Sequence, residues 1–185
     1  MHVTRMTRRR RSGAQPGFSL IEVMVTLVVV AIGVLGVSKL QAASVSNTQV
    51  SRVRSLLSLQ AGSLAAAMHA NPMYWASGKA PANFTVAGTT VSDPGGVLSA
   101  PPGSSCTGTA PACTPEQIAA LDVQTWAGNL STQLPTYSGT VTCSTTAPVT
   151  CQISLSWSEK YVATNTASAQ ATQTGTPTFT LFVSP

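Results

Sequence analysis

Between Phe18 and Val37 nearly every position is apolar, and as a helix these twenty residues at ~1.5 Å each reach ~30 Å, the thickness of a bilayer's hydrocarbon core. The pattern predicts one membrane span. From Leu40 onward it turns amphipathic: Val53, Leu57, Leu64 and Met68 are spaced four, seven and four apart, with Arg52 and Arg54 off that stripe. A single helix is therefore expected from Phe18 to about His69. It should stop at Asn71-Pro72, because a residue before proline is pushed out of the helical region and proline cannot continue the ladder.

Glycine, proline, serine and threonine dominate from Pro72 to Pro115, which reads as a long loop with one short strand around Phe84 to Val86. Thr114-Pro115-Glu116-Gln117 then fits a capping box, and Ala119, Val123, Trp126 and Leu130 give a second helix its buried stripe. Gly128 and Pro135 limit its extent. Beyond Gly139 the period changes to two. Ile153, Leu155 and Trp157 alternate with polar residues, Phe179, Leu181 and Val183 form a second alternating set, and Val141 begins a third strand. Thr164 to Gly175 is polar enough for a loop. The sum is an α+β fold: a long N-terminal helix with a membrane-spanning first half, a short second helix and a small antiparallel sheet.

Charge sharpens this picture. Only 8% of residues are charged, against roughly 25% in an ordinary soluble domain. The net charge of +5 comes from Arg5, Arg8, Arg9, Arg10 and Arg11. In the rest of the chain Lys39, Arg52, Arg54, Lys79 and Lys160 balance Glu22, Asp93, Glu116, Asp122 and Glu159. Arginines before the span hold that end in the cytoplasm and send the remainder across the membrane. A body without a basic cluster is a poor nucleic-acid binder. Cleavage near Ala42-Ala43 by ordinary secretory processing is the competing reading of the same head.

Candidate chemistry is sparse. His69, read as a helix-end residue, is the body's only histidine beside scattered carboxylates, so no nucleophile, base and orienting acid assemble, and no enzyme activity, cofactor or metal site is expected. Trp75, Trp126 and Trp157 read as core or loop anchors. Cys106, Cys113, Cys143 and Cys151 all follow the span, where an oxidising compartment favours disulfides over zinc. Three connectivities exist. The local pairs Cys106-Cys113 and Cys143-Cys151 are favoured because they staple a loop and a strand pair. Glu22 is the anomaly, since a carboxylate within a span costs ~2.5–3.5 kcal/mol on insertion scales and usually has a partner or a function.

Gly17-Phe18-Ser19-Leu20-Ile21-Glu22-Val23 resembles the processing motif of type IV prepilins and of type II secretion pseudopilins. The resemblance implies removal of a basic leader, residues 1–17, by a prepilin peptidase, with cleavage after Gly17 and methylation of the new N-terminus on Phe18. It further implies a transmembrane half of the first helix at 18–37, an amphipathic half at 38–70 and a periplasmic head at 71–185, a type IV pilin-like fold. Glu22 then becomes a salt partner for a neighbouring subunit's N-terminal amine, or else a tolerated polar residue near the membrane surface. Gly33 and Gly36 are either plain span residues or points of close helix packing or local unwinding.

Ala31-Ile32-Gly33-Val34-Leu35-Gly36, Met68-His69-Ala70-Asn71-Pro72-Met73-Tyr74, Thr114-Pro115-Glu116-Gln117, Asp122 and Trp126 are similar to PilV-type minor pilins, the type IV pilus modification proteins. That similarity implies an inner-membrane subunit that later joins a pilus at the cell surface. Its partners would be membrane lipid, the prepilin peptidase, other minor and major pilins and the pilus assembly machinery. A pseudopilin of type II secretion is the alternative. From another class comes an adhesin or DNA-binding tip module, to which the 72–115 loop brings only Lys79 as a positive charge.

Overall fold

A computed structural model describes residues 17–101, 106, 113–160 and 174–185. The basic leader up to Pro16 and most of the polar 164–175 stretch lie outside the described residues. The fold is α+β and pilin-like, with a long apolar N-terminal helix, a shorter helix and a small antiparallel sheet.

Helix α1 spans Leu20–Ala70, 51 residues. The chain falls into two compact units, one up to Ala42 and one from Ala43 to Pro185. In the first unit the described apolar residues are exposed, and the helix is long and apolar enough to cross a membrane. In the second unit a covered stripe begins: Ala43, Ser46, Val50 and Val53 are partly buried, and Leu57, Ala61, Leu64 and Met68 wholly so. These steps of three and four residues keep one helix face turned to the core.

Pro72 ends α1 and opens a short helix, α2, at Pro72–Trp75. Proline suits a first helical position because the N–H it lacks would be unpaired there anyway. The expected loop from 72 to 115 is thus more structured than its composition suggests. Besides α2 it contains β1 (Asn83–Ala87) and β2 (Thr90–Ser92), paired antiparallel with Ala87 opposite Thr90. Gly88 has φ +57°, a conformation that tight two-residue hairpin turns demand and that glycine adopts without strain. Asp93 closes the next turn, its carboxylate accepting from the N–H groups of Val97, Leu98 and Ser99. This seats Leu98 fully in the core.

Helix α3 runs over Pro115–Gln133. Its capping box is complete: Thr114 Oγ1 accepts from the Gln117 N–H, and the Gln117 side chain accepts from the Thr114 N–H. Gly128 lies within the helix, which ends instead before Leu134. Ala119, Val123, Trp126 and Leu130 are all buried.

Strands β3 (Ser138–Cys143), β4 (Cys151–Ser156) and β7 (Thr178–Val183) complete a sheet of order β2-β1-β3-β4-β7. Alternation sends Val141, Ile153 and Leu155 inward and leaves threonine and serine outside. Trp157 falls one residue past β4 and is still buried. A separate ribbon pairs β5 (Glu159–Lys160) with β6 (Thr174–Gly175), so the end of the stretch read as loop is strand. A side chain at Gly139 would meet Leu155 at 3.2 Å, with Trp126 and Tyr137 next at 3.8 Å. The glycine makes room for the side chain of Leu155, its partner across the β3–β4 ladder.

Candidate functional site

Gly17, Phe18 and Ser19 precede the helix, and the Ser19 carbonyl accepts the N–H of Glu22 at 3.0 Å and of Val23 at 3.3 Å. The helical ladder therefore starts immediately after the boundary between Gly17 and Phe18. Glu22 is in the first turn and is the only acid in α1. A negative charge at this end of a helix is favoured by the macrodipole. Phe18 is 84% exposed, and the large apolar residues that follow it up to Leu40 are exposed as well. So long an apolar surface is stable only in lipid or against other protein.

A Cβ built on Gly17 meets nothing within 4 Å, and its φ is not in the left-handed region. Among the described residues neither packing nor backbone conformation asks for glycine there. Gly33 and Gly36 are equally open, although glycine in mid-helix costs ~0.5–1 kcal/mol relative to alanine.

In the head the charged residues do not converge. Lys79 pairs with Glu116 at 3.0 Å, and Arg54 with Glu159 at 3.1 Å. The Glu116 carboxyl is held below its usual range, first by its own backbone N–H at the start of α3 and then by Lys79. Burial alone raises Asp122 above its usual range. His69 is exposed in the last turn of α1. Trp75, Trp126 and Trp157 are buried at 1%, 6% and 5% exposure, which places all three in the core. Among the described residues no three His, Cys, Asp or Glu side chains gather.

The structure joins Cys143 to Cys151 directly across the β3–β4 ladder, and Cys106 to Cys113 before α3. Other ties between elements leave no mark in the sequence pattern. Asn71, buried at 7% exposure, donates to the Pro115 carbonyl at 2.7 Å and so links the end of α1 to the start of α3. The Arg54–Glu159 pair links α1 to β5 across 105 residues. A sequence separation that long leaves no local signal.

A sequence profile described as the prokaryotic N-terminal methylation motif matches residues 13–38. No curated protein matches the chain, and no solved structure matches it. Residues 13–38 thus carry the motif of a type IV pilin-like precursor, a class of structural proteins. The apolar helix that the motif opens fits a membrane-anchored pilin.

Proposed function

We propose that this chain is a minor pilin of the PilV type, cut after Gly17 by a prepilin peptidase and methylated on Phe18. The 18–37 segment holds it in the inner membrane, 38–70 continues the helix into the periplasm, and 71–185 completes the exported head with both disulfides formed. From the membrane it enters a type IV pilus, where helix packing builds the fibre core and heads contact other minor and major pilins. The observation that carries this reading is a motif-headed apolar helix with no cover of its own and one acid, Glu22, in its first turn.

Glu22 gives the assembly step its chemistry. Cleavage leaves a positive amine on Phe18, one helical turn before the carboxylate. In an apolar bundle each charge alone is expensive, whereas a carboxylate facing the amine of the next subunit neutralises both. The pair sets how far a subunit enters. Glu22→Ala should insert in the membrane and fold its head with both disulfides, yet be lost from sheared fibres and from crosslinks to other pilins. Recovery of the variant in the fibre at the level of the unmodified chain contradicts this role.

A further inference from the structure

Most acids of the head are matched within the chain. Glu116 pairs with Lys79 and Glu159 with Arg54, while Asp93 accepts from three backbone N–H groups and from the Ser99 hydroxyl. Asp122 differs: among the described residues it has neither an ion pair nor a hydrogen bond. It is partly buried, and burial alone raises its carboxyl, so no described group replaces the water that the charge has lost. Arg52 is exposed and has no ion pair among the described residues either.

Both residues lie in one groove between α1 and α3. Ser63 and Asp122 line the end nearer Ala70, Arg52 and Leu56 line the other end, and Leu59 and Gln133 border both. Leu59 is 72% exposed, so the groove has an apolar centre between a carboxylate and a guanidinium. Asn71 bonds to Pro115 and Gln60 to Trp126, so the two helices run antiparallel and Asp122 lies about level with Leu64. Arg52 is then roughly twelve residues or ~18 Å away along α1, too far for the two charges to meet within one chain.

We propose that this groove receives a second copy of this chain, parallel to the first and shifted along α1 by ~18 Å, so that Arg52 of one copy meets Asp122 of the other. The guanidinium presents paired N–H donors to the carboxylate, and a helix docked there takes Leu56 and Leu59 out of water. A turn about the α1 axis and a shift along it bring the two faces together and leave both helices pointing the same way, as subunits drawn from one membrane require. Because the two ends of the contact differ, it repeats along a filament instead of closing at two copies. The shift exceeds the single turn between Phe18 and Glu22, so this neighbour is not the one whose amine faces Glu22. The contact rests on the fibre reading given above.

The test expresses full-length variants in cells that lack the native copy and follows them in membranes and in sheared fibres. Arg52→Asp alone and Asp122→Arg alone set like charges against each other, and each should lower the level in fibres by roughly tenfold. Expressed together the two variants should recover, because alternating copies restore an opposite pair at every contact. Chains with Arg52→Cys and with Asp122→Cys should be joined by a short thiol crosslinker when co-expressed and not when either is alone, while peptide mapping still finds the native cysteine pairings. Absence of the unmodified chain from sheared fibres overturns this contact together with the fibre reading. With the unmodified chain present in fibres, equal entry of the single variants, no recovery on co-expression, or linkage only to other proteins overturns the groove contact alone.

Discussion

The indole N–H of Trp126 donates to the backbone carbonyl of Gln60 over 2.8 Å, a bond between α3 and α1 across 66 residues. The same ring stands edge-on to Tyr137, with centroids 6.1 Å apart. One side chain thus ties together both long helices and the start of β3. Trp126→Phe keeps an aromatic ring there but loses the donor and part of the packing. The head should lose about 2–3 kcal/mol, from a hydrogen bond worth ~1 kcal/mol and a partly collapsed cavity. Chemical denaturation of the full chain in detergent, followed by the remaining tryptophans, checks this.

The two core tyrosines should respond oppositely to removal of their hydroxyls. Tyr137 donates to the Gly88 carbonyl at 2.8 Å, whereas the buried Tyr74 hydroxyl has no hydrogen-bond partner among the described residues. Tyr137→Phe should cost ~1 kcal/mol, and Tyr74→Phe should be neutral or stabilising, because it removes a buried polar atom that gains nothing from the fold. Denaturation midpoints of the two variants decide it.

Alkaline pH probes the same residues. Burial pushes both hydroxyls up to about 12, with Asp93 and then Glu116 adding to the effect at Tyr74. An unfolded chain releases these protons near pH ~10. Between those values the folded state holds protons that the unfolded state has lost, so stability is full below about pH 10 and falls as pH rises through about 12. Phenolate absorbance should rise together with unfolding in that window. Two tyrosines that ionise near pH 10 in a folded head would contradict this.

Cys143 and Cys151 are cross-strand neighbours in the register of β3 and β4, at Cα–Cα 4.0 Å. Replacing both by alanine should lower stability by ~2.5 kcal/mol, the entropy of closing a short loop in the unfolded chain. The sheet order should persist, because Val141, Ile153 and Leu155 still bury the ladder. Peptide mapping without reduction should recover Cys143-Cys151 and Cys106-Cys113 as the joined pairs. Free thiols or crossed pairs would count against an exported head.

Much of this architecture was legible because its signals are local. The α1 stripe, the capping box at Thr114 and Gln117, and the alternation of Ile153 and Leu155 each lie within a few residues. The hairpin of β1 and β2 was not, since β2 offers one apolar position, Val91, and a glycine-rich stretch holds too few such positions to show a period. The turn glycine, Gly88, between Val86 and Val91 was the one available hint. Pro72 read as a stop, although the same residue starts α2. The ties from Asn71, Arg54 and Trp126 depend on residues brought together only by the fold. At the N-terminus the reverse holds: the motif is visible in sequence, while the structure adds that no described residue packs against its glycine.

That openness at Gly17 makes a clean substitution. A Cβ at residue 17 meets no described atom, and Gly17→Val should leave the head's stability and disulfides unchanged. Precursor that still carries its leader should accumulate in the membrane, seen as a slower band and as a loss of the cut form. Normal processing of this variant would show that the peptidase does not read the glycine.

The mass of the mature N-terminal peptide tests the central claim most directly. Chain extracted from membranes of cells with an active prepilin peptidase should begin at Phe18, carry a single methyl group on its amine, and keep Glu22 four residues further on. A mature chain that begins near Ser44, or one that retains residues 1–17 in such cells, would contradict the account.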